Sequence, residues 1–426
     1  MASAVDRLWG QRSAFARGTD SHVKMDRKNK FTITLLSIAH FVMDSYSSFL
    51  FQLLPLLAMK LHLTPAQVGL LPPTLTITSS LMQPLYGVIS DRYLKRSMTV
   101  MGPLIAAIFL SSLGMATSLP MLMALVVLGG IGVGIFHPQS AAMVSRAAAA
   151  DGGKSQGMVM SIFSSAGTVG YALGPVLVGA AVAGFGLENS WYTVVWGLAF
   201  WFVLLRYCPS LERKERAADA PTLSEALRTA WGPLTLLYFA VVLRSAVSVS
   251  IQTYLPFSLQ DSGMTTTAMS WVLAGFLFFG GVGGFFGGAL ADRLGARRVT
   301  LAAMLLAAPL LIAAFSTGGA FRYVLLMAGG GVLNLPIPIS VVMAQRLVPA
   351  GASTVSALMM GFAWGAGAMM TPIAGALSQR YGFHRALMAL AFLPLASAAL
   401  LWFYPKDERA ARTEIREASA VGAVGD

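Results

Sequence analysis

Gly87-Val88-Ile89-Ser90-Asp91-Arg92-Tyr93-Leu94-Lys95-Arg96 recurs, at an offset near 200 residues, as Gly288-Ala289-Leu290-Ala291-Asp292-Arg293-Leu294-Gly295-Ala296-Arg297-Arg298. Each copy is a charged stretch that follows the second apolar segment of its half. Other positions keep the same register. Asp44, Ser48 and Gln52 recur as Arg244, Ser248 and Gln252, and Arg146 recurs as Arg346. Several matches at one offset argue for a duplicated unit.

Working outward, the sequence between the copies is apolar. The chain has 426 residues, 56% hydrophobic and 11% charged, where a soluble domain carries about a quarter charged residues. Too few polar groups remain to solvate a globule, so lipid is the solvent for most of the chain. A membrane helix needs roughly 20 apolar residues to cross about 30 Å of hydrocarbon. Twelve such spans are predicted, at 31–58, 66–90, 98–117, 121–146, 155–184, 190–207, 231–259, 266–291, 298–317, 321–346, 351–379 and 384–404. Lipid offers no partner to an unpaired backbone group, and the short alternating segments of a β-barrel are not evident. The expected fold is an all-α integral membrane protein of twelve transmembrane helices in two pseudo-symmetric six-helix bundles. In such duplicated transporters the bundles meet around a midplane site and rock against each other.

The net charge of +12 raises the question of nucleic acid, and its distribution answers it. With the N-terminus inside, 25 of the 30 Lys and Arg residues fall on inner segments. Lys60, Arg322, Arg380 and Arg385 fall outside, and Arg244 alone lies mid-membrane. Such a bias sets orientation, so both termini are expected in the cytoplasm and no nucleic-acid partner is expected. The first thirty residues are polar and basic, so the first span itself is expected to direct insertion into the cytoplasmic (inner) membrane, not a cleaved leader. The expected organisation is a tail at 1–30, a bundle at 31–207, a cytoplasmic linker at 208–230, a bundle at 231–404 and a tail at 405–426. Cys208 is the single cysteine, which excludes an internal disulfide and a cysteine metal cluster. No Walker loop, dinucleotide fingerprint or nucleophile motif stands out, and glycine-rich stretches such as Gly129 to Gly134 lie inside apolar spans. No enzyme, cofactor or metal is expected. The expected partners of a monomer are a small molecule, protons and lipid.

The Gly-x-x-x-Asp-Arg-x-x-x-Arg stretch resembles the signature loop of the major facilitator superfamily. Gly170-Tyr171-Ala172-Leu173-Gly174-Pro175 is similar to the antiporter motif of its drug exporters. More narrowly, Ser37-Ile38-Ala39-His40-Phe41-Val42-Met43-Asp44, Phe136-His137-Pro138-Gln139-Ser140 and Ala344-Gln345-Arg346-Leu347-Val348-Pro349 resemble the fosmidomycin-resistance efflux family. The resemblance runs from about Phe31 to Tyr404. It implies alternating access and export of a small compound such as a phosphonate antibiotic. Two departures limit the carry-over. That family has an acidic residue after His-Pro where Gln139 stands, and the broader exporters have a fourth-helix arginine absent from Leu125 to Gly130.

Ser37, His40, Asp44, Ser48 and Gln52 follow a three-or-four spacing and form one polar stripe. Asp44 falls some 20 Å along its span at about 1.5 Å per residue, where a charge facing lipid costs about 3 kcal/mol. The stripe is therefore expected to face the cavity. Burial penalises charged forms and brings an acid and an imidazole toward neutrality. Asp44 and His40 then read either as a proton carrier or as a structural pair. His137, before Pro138, reads as a second proton site or as a cap for the backbone ladder that proline breaks.

Arg244 offers a fixed cationic fork that suits carboxylate or phosphonate. It reads as a substrate contact, with Ser248, Gln252, Ser48, Gln52, Gln139 and Asn334 as polar companions, or as the partner of Asp44 in a salt bridge. Gly87, Asp91, Arg92, Arg96, Gly288, Asp292, Arg293 and Arg297 read as a conformational latch. In it the two glycines allow close backbone approach, and the carboxylates face a helix N-terminus and an arginine. The rival reading is topology alone. Gly170, Gly174, Pro175, Gly367 and Pro372 read as packing and bending positions. The function expected is proton-coupled efflux of a small anion. A uniporter or importer without coupling and a non-transporting sensor or scaffold are the alternatives.

Overall fold

The computed structural model describes residues 26–89, 95–149, 156–209, 223–348, 355 and 358–405. Among the described residues every regular element is helical. The first six helices are α1 (Arg27–Leu61), α2 (65–89), α3 (Lys95–Ser111), α4 (Leu119–Ala149), α5 (Gln156–Phe185) and α6 (Val194–Tyr207). The second six are α7 (Leu223–Asp261), α8 (Thr266–Leu294), α9 (Ala296–Ser316), α10 (Phe321–Leu347), α11 (358–381) and α12 (Phe383–Trp402).

Nine of the twelve described segments are long and apolar enough to cross a membrane. The other three depart from that pattern for visible reasons. Helix α2 carries Pro72 and Pro73, a π-helical stretch at Ile77–Leu81 and a turn at Met82. Helix α11 carries a π stretch at Leu358–Phe362 and a turn before Pro372. Helix α6 has 14 residues and is preceded by the seven-residue 3₁₀ stretch Leu187–Thr193. At ~1.5 and ~2.0 Å per residue the two together reach ~35 Å, enough to span.

Boundaries also shift. Helix α1 starts at Arg27, and α7 starts at Leu223, inside the expected linker, with a bend at Ala230 (φ −138°, ψ 32°). Most of the expected linker and both tails lie outside the described residues. The α8–α9 turn, inside the repeated motif, needs glycine: Gly295 takes φ +93°, where a side chain would be strained. At Asn334 the α10 run breaks at Leu335 and resumes at Pro336, because proline cannot continue the donor ladder.

Helix α1 packs on α4 and α5, and α7 on α11 and α12, while α5 and α8 meet across the halves. Lipid tails are as apolar as leucine, so helix association rests on close van der Waals contact and buried polar bonds. On the face opposite the chain ends the halves are joined. Thr371 Oγ1 donates to the Gly69 carbonyl at 2.6 Å. The Tyr254 hydroxyl lies 2.9 Å from the carbonyls of both Pro65 and Thr371, and its one proton serves either. A Cβ on Gly69 would lie 2.7 Å from the Pro372 Cα. Gln52 Nε2 reaches the Thr266 carbonyl at 3.3 Å.

Candidate functional site

Asp44 lies in the middle of α1, and its two oxygens face different imidazoles. Oδ2 is 3.2 Å from His40 Nε2, one turn earlier on α1, and Oδ1 is 3.1 Å from His137 Nε2 on α4. Each imidazole is fixed from behind. His40 Nδ1 bonds the Phe163 carbonyl of α5 at 2.9 Å, and His137 Nδ1 bonds the Val133 carbonyl at 2.8 Å. A carbonyl only accepts, so both Nδ1 atoms carry hydrogen. A neutral ring then turns a bare Nε2 lone pair toward a carboxylate oxygen, acceptor against acceptor. Each of the two contacts therefore needs a proton of its own, shared between nitrogen and oxygen. The side chains of Asp44 and His137 stay 17% and 24% exposed.

His40 is further held by stacking on Phe163 at 4.3 Å and by the His137 ring, edge-on at 5.0 Å. The reading of His137 as a ladder cap is corrected. Its ring bonds Val133, not the carbonyl that Pro138 leaves free, and its other nitrogen faces Asp44. The donor atoms of the trio lie within 4.8 Å of one another, close enough for a divalent cation to be considered. The separations of 3.1 and 3.2 Å are those of hydrogen bonds.

Most of the polar stripe does not face an open cavity. It lies under α5, whose glycines admit it. A Cβ on Gly167 would sit 2.5 Å from His40 Nε2 and 2.6 Å from Asp44 Oδ2. One on Gly170 would meet the Phe41 backbone, and one on Gly174 the Ser48 hydroxyl. Ser48 is fully buried and donates to the Ser45 carbonyl. The reason is local: α5 comes into backbone contact with α1 and closes the stripe at Ser48, while Asp44 keeps 17% of its side chain exposed. Pro175, the next residue of α5, is buried. In the second half, Gly367 of α11 sits on α7, where a Cβ would be 2.8 Å from the Val242 carbonyl.

Arg244 of α7 is 2% exposed. Nη1 donates to Asn334 Oδ1 at 2.9 Å, Nη2 lies 3.4 Å from Ser245 Oγ, and the guanidinium lies 5.4 Å from the Trp364 ring centre. Its Nε–H is buried and, among the described residues, has no partner. Among the described residues no carboxylate lies within 4 Å of it. The expected Arg244–Asp44 salt bridge is thus not formed, because both oxygens of Asp44 are taken by imidazoles.

Asn334 Oδ1 also accepts from Ser248 Oγ at 3.3 Å, and its Nδ2 donates to Gly330. Gln252 donates to Ser248 at 3.2 Å and accepts from Tyr171 of α5 at 2.9 Å. Gln52 and Gln252, equivalent in the repeat, therefore both reach across to the opposite half. Gln139 is buried on α4. Tyr171, Trp364, Tyr254 and Thr371 were missed in the sequence. Tyr171 sits inside the quoted glycine motif, but nothing in that motif says what its hydroxyl meets.

Of the latch residues, Asp91 and Arg92 lie outside the described residues, as does the side chain of Asp292. Arg293 is exposed. Arg96 bonds the carbonyls of Cys208 (2.7 Å) and Leu205. Arg297 bonds those of Tyr404 (2.8 Å) and Trp402 (2.6 Å). In both halves this arginine closes the C-terminus of the last helix of its own bundle, satisfying carbonyls that a helix end leaves free. Close approach at Gly288 is corrected as well: a Cβ there meets nothing within 4 Å, and the tight position is Gly287, against Leu335 of α10.

This arrangement, two halves of six helices with polar groups buried where they meet, defines a membrane transporter, and the chain belongs to the major facilitator superfamily. The model of that superfamily matches residues 36–261 and 237–424. YfnC of Bacillus subtilis, described as an MFS-type transporter, is 30% identical over 390 residues, covering 88% of this chain and 93% of that one. The fosmidomycin resistance protein of Escherichia coli is 27% identical over 366 residues, covering 84% and 89%. Among solved structures, a bacterial homologue of the human lysosomal transporter Spinster, inward-facing and unoccupied, has TM-score 0.74 at 16% identity over 93% of this chain and 99% of its own. The nucleoside transporter NupG has TM-score 0.71 at 15% identity, with coverages of 89% and 99%. The protein is a multi-pass membrane transporter of small molecules.

Proposed function

We propose that the chain exports a small anion in exchange for protons, across the cytoplasmic membrane, with both termini inside. The observation that supports this most is the separation of the two charges. Arg244 is buried with no carboxylate beside it, while Asp44 in the other half is committed to two imidazoles. An unpaired buried donor costs about 1–3 kcal/mol, and an anion seated on the free edge of Arg244 would recover that loss. Trp364 and Asn334 would border the ligand, with Ser248, Gln252, Ser48, Gln52 and Gln139 as the wider polar surround. The trio of Asp44, His40 and His137 would take up and release the protons. The likeness to a fosmidomycin resistance protein favours a phosphonate. The halves 31–207 and 231–404 would rock as units in a monomer, and Gly87, Asp91, Arg92, Asp292 and Arg293 would latch one state.

The test is purified protein in vesicles with a trapped pH dye, to which fosmidomycin is added. Proton movement is expected that needs both the compound and Asp44, and that persists in the presence of EDTA. Normal transport by Asp44→Asn under an imposed pH gradient would overturn the proton role. Saturable flux without proton movement would leave a uniporter. Loss of coupling to EDTA would make the trio a metal site.

A further inference from the structure

Two buried charges stand at equivalent positions of the repeat, and each meets a side chain from the fourth helix of its own half. Asp44 meets His137 of α4 at 3.1 Å, and Arg244 meets Asn334 of α10 at 2.9 Å. The partners themselves are not equivalent. At an offset of 200 residues His137 corresponds to Ile337, and Asn334 to Gly134. The second half thus brings an amide to its charge from about one turn earlier in the repeat.

Asn334 is 6% exposed, and its amide is oriented from behind. The Gly330 carbonyl lies 2.9 Å from one end of the amide and can only accept, so that end is the nitrogen. The oxygen then faces Arg244 Nη1, and it also accepts the Ser248 hydroxyl at 3.3 Å. Gly280 of α8 closes on the same amide, since a Cβ there would lie 2.9 Å from Nδ2. A carboxylate in this place would turn its second oxygen against the Gly330 carbonyl. An amide satisfies both neighbours.

The amide holds the guanidinium without cancelling its charge. Among the described residues, the groups that meet the guanidinium are Asn334 Oδ1, Ser245 Oγ and the Trp364 ring, and all three are neutral. A carboxylate on α10 would hold an arginine and neutralise it in one contact. Asn334 does only the first of these.

Resting on the anion reading of Arg244, we infer that Asn334 is the specificity-determining residue of the site. It positions the fork through a neutral oxygen and so reserves the charge for a phosphonate, phosphate or carboxylate group of the substrate. A carboxylate at position 334 would supply the counter-charge from within and repel the charge of the substrate.

The test is calorimetric titration of full-length protein in lipid nanodiscs at pH 8, with fosmidomycin and with methylphosphonate. Native protein is compared with Asn334→Asp and Asn334→Leu. Both replacements have nearly the shape of asparagine. Leucine removes the acceptor that orients the fork, whereas aspartate keeps an acceptor and adds a charge. Like charges set side by side oppose binding strongly, so Asn334→Asp should bind either anion at least about tenfold more weakly than Asn334→Leu does. Thermal midpoints report whether each variant is folded. Should Asn334→Asp not fold, Ser248→Asp brings a carboxylate toward Arg244 from the next turn of α7. It should bind at least about tenfold more weakly than Ser248→Asn.

Equal weakening by aspartate and leucine would make Asn334 a strut and overturn the inference, as would native affinity in Asn334→Asp. Failure of the anion reading looks different: neither anion would bind the native protein, and the inference would fall with it.

Discussion

Replacing Arg244 with lysine keeps the positive charge and removes the planar fork. In the ligand-free site Arg244 spends Nη1 on Asn334 and leaves Nε–H without a partner. The edge made by Nε and Nη2 is thus the part available to an anion, and it fits two parallel bonds. A lysine ammonium on a flexible stem can offer one bond at that place, and it also vacates the contact with Trp364. Losing one hydrogen bond to a charged group costs about 1.5–3 kcal/mol, which corresponds to about 10- to 150-fold in Kd. Isothermal titration of Arg244→Lys in detergent should therefore show fosmidomycin binding weakened by that factor. A neutral compound that binds the native protein should change by less than about threefold. Equal losses for the anion and the neutral compound would refute charge recognition. Native affinity for the anion would refute contact altogether.

Three further outcomes are expected. Gly170→Ala places a Cβ 2.8 Å from the Phe41 carbonyl carbon and Cα. Backbone cannot rotate away, so overpacking should cost about 1–3 kcal/mol and lower the thermal midpoint, whereas Gly184→Ala, with open space around it, should not. Arg297→Ala removes two bonds to the end of α12, and hydrogen exchange should rise in the last turn of that helix while α6, held by Arg96, stays protected; unchanged exchange would deny the capping role. The Cys208 thiol, 5% exposed, is pushed up to about 11 by burial, with the Arg96 guanidinium pulling the other way. Few molecules carry the thiolate at pH 7, so maleimide labelling in folded protein should be slow and should quicken as pH rises toward 11, and rapid labelling at pH 7 would contradict that burial.

The fold was legible because its causes are local and repeated. Lipid excludes unpaired backbone, so apolar runs of span length must be helices, and a 200-residue repeat of Asp-Arg loops must mean two alike halves. The buried charges were legible for a related reason: Asp44 and Arg244 stand out in apolar spans because a membrane rarely tolerates a charge without use. Their partners were not. Whether Asp44 would meet Arg244 or a pair of imidazoles depends on which faces of α1, α4 and α7 point at one another, and spacing along one helix carries no information about that. The repeat even suggested the wrong pairing, since equivalent positions on α1 and α7 invited a salt bridge. Likewise Arg96 and Arg297 were visible as a recurring pair, but only folding brings the ends of α6 and α12 within reach of their forks. Tyr171 had no signal beyond its place between two glycines. Helical periodicity and solvation are properties of a segment and can be read from it, whereas a hydrogen bond between segments about 80 residues apart is decided by packing alone.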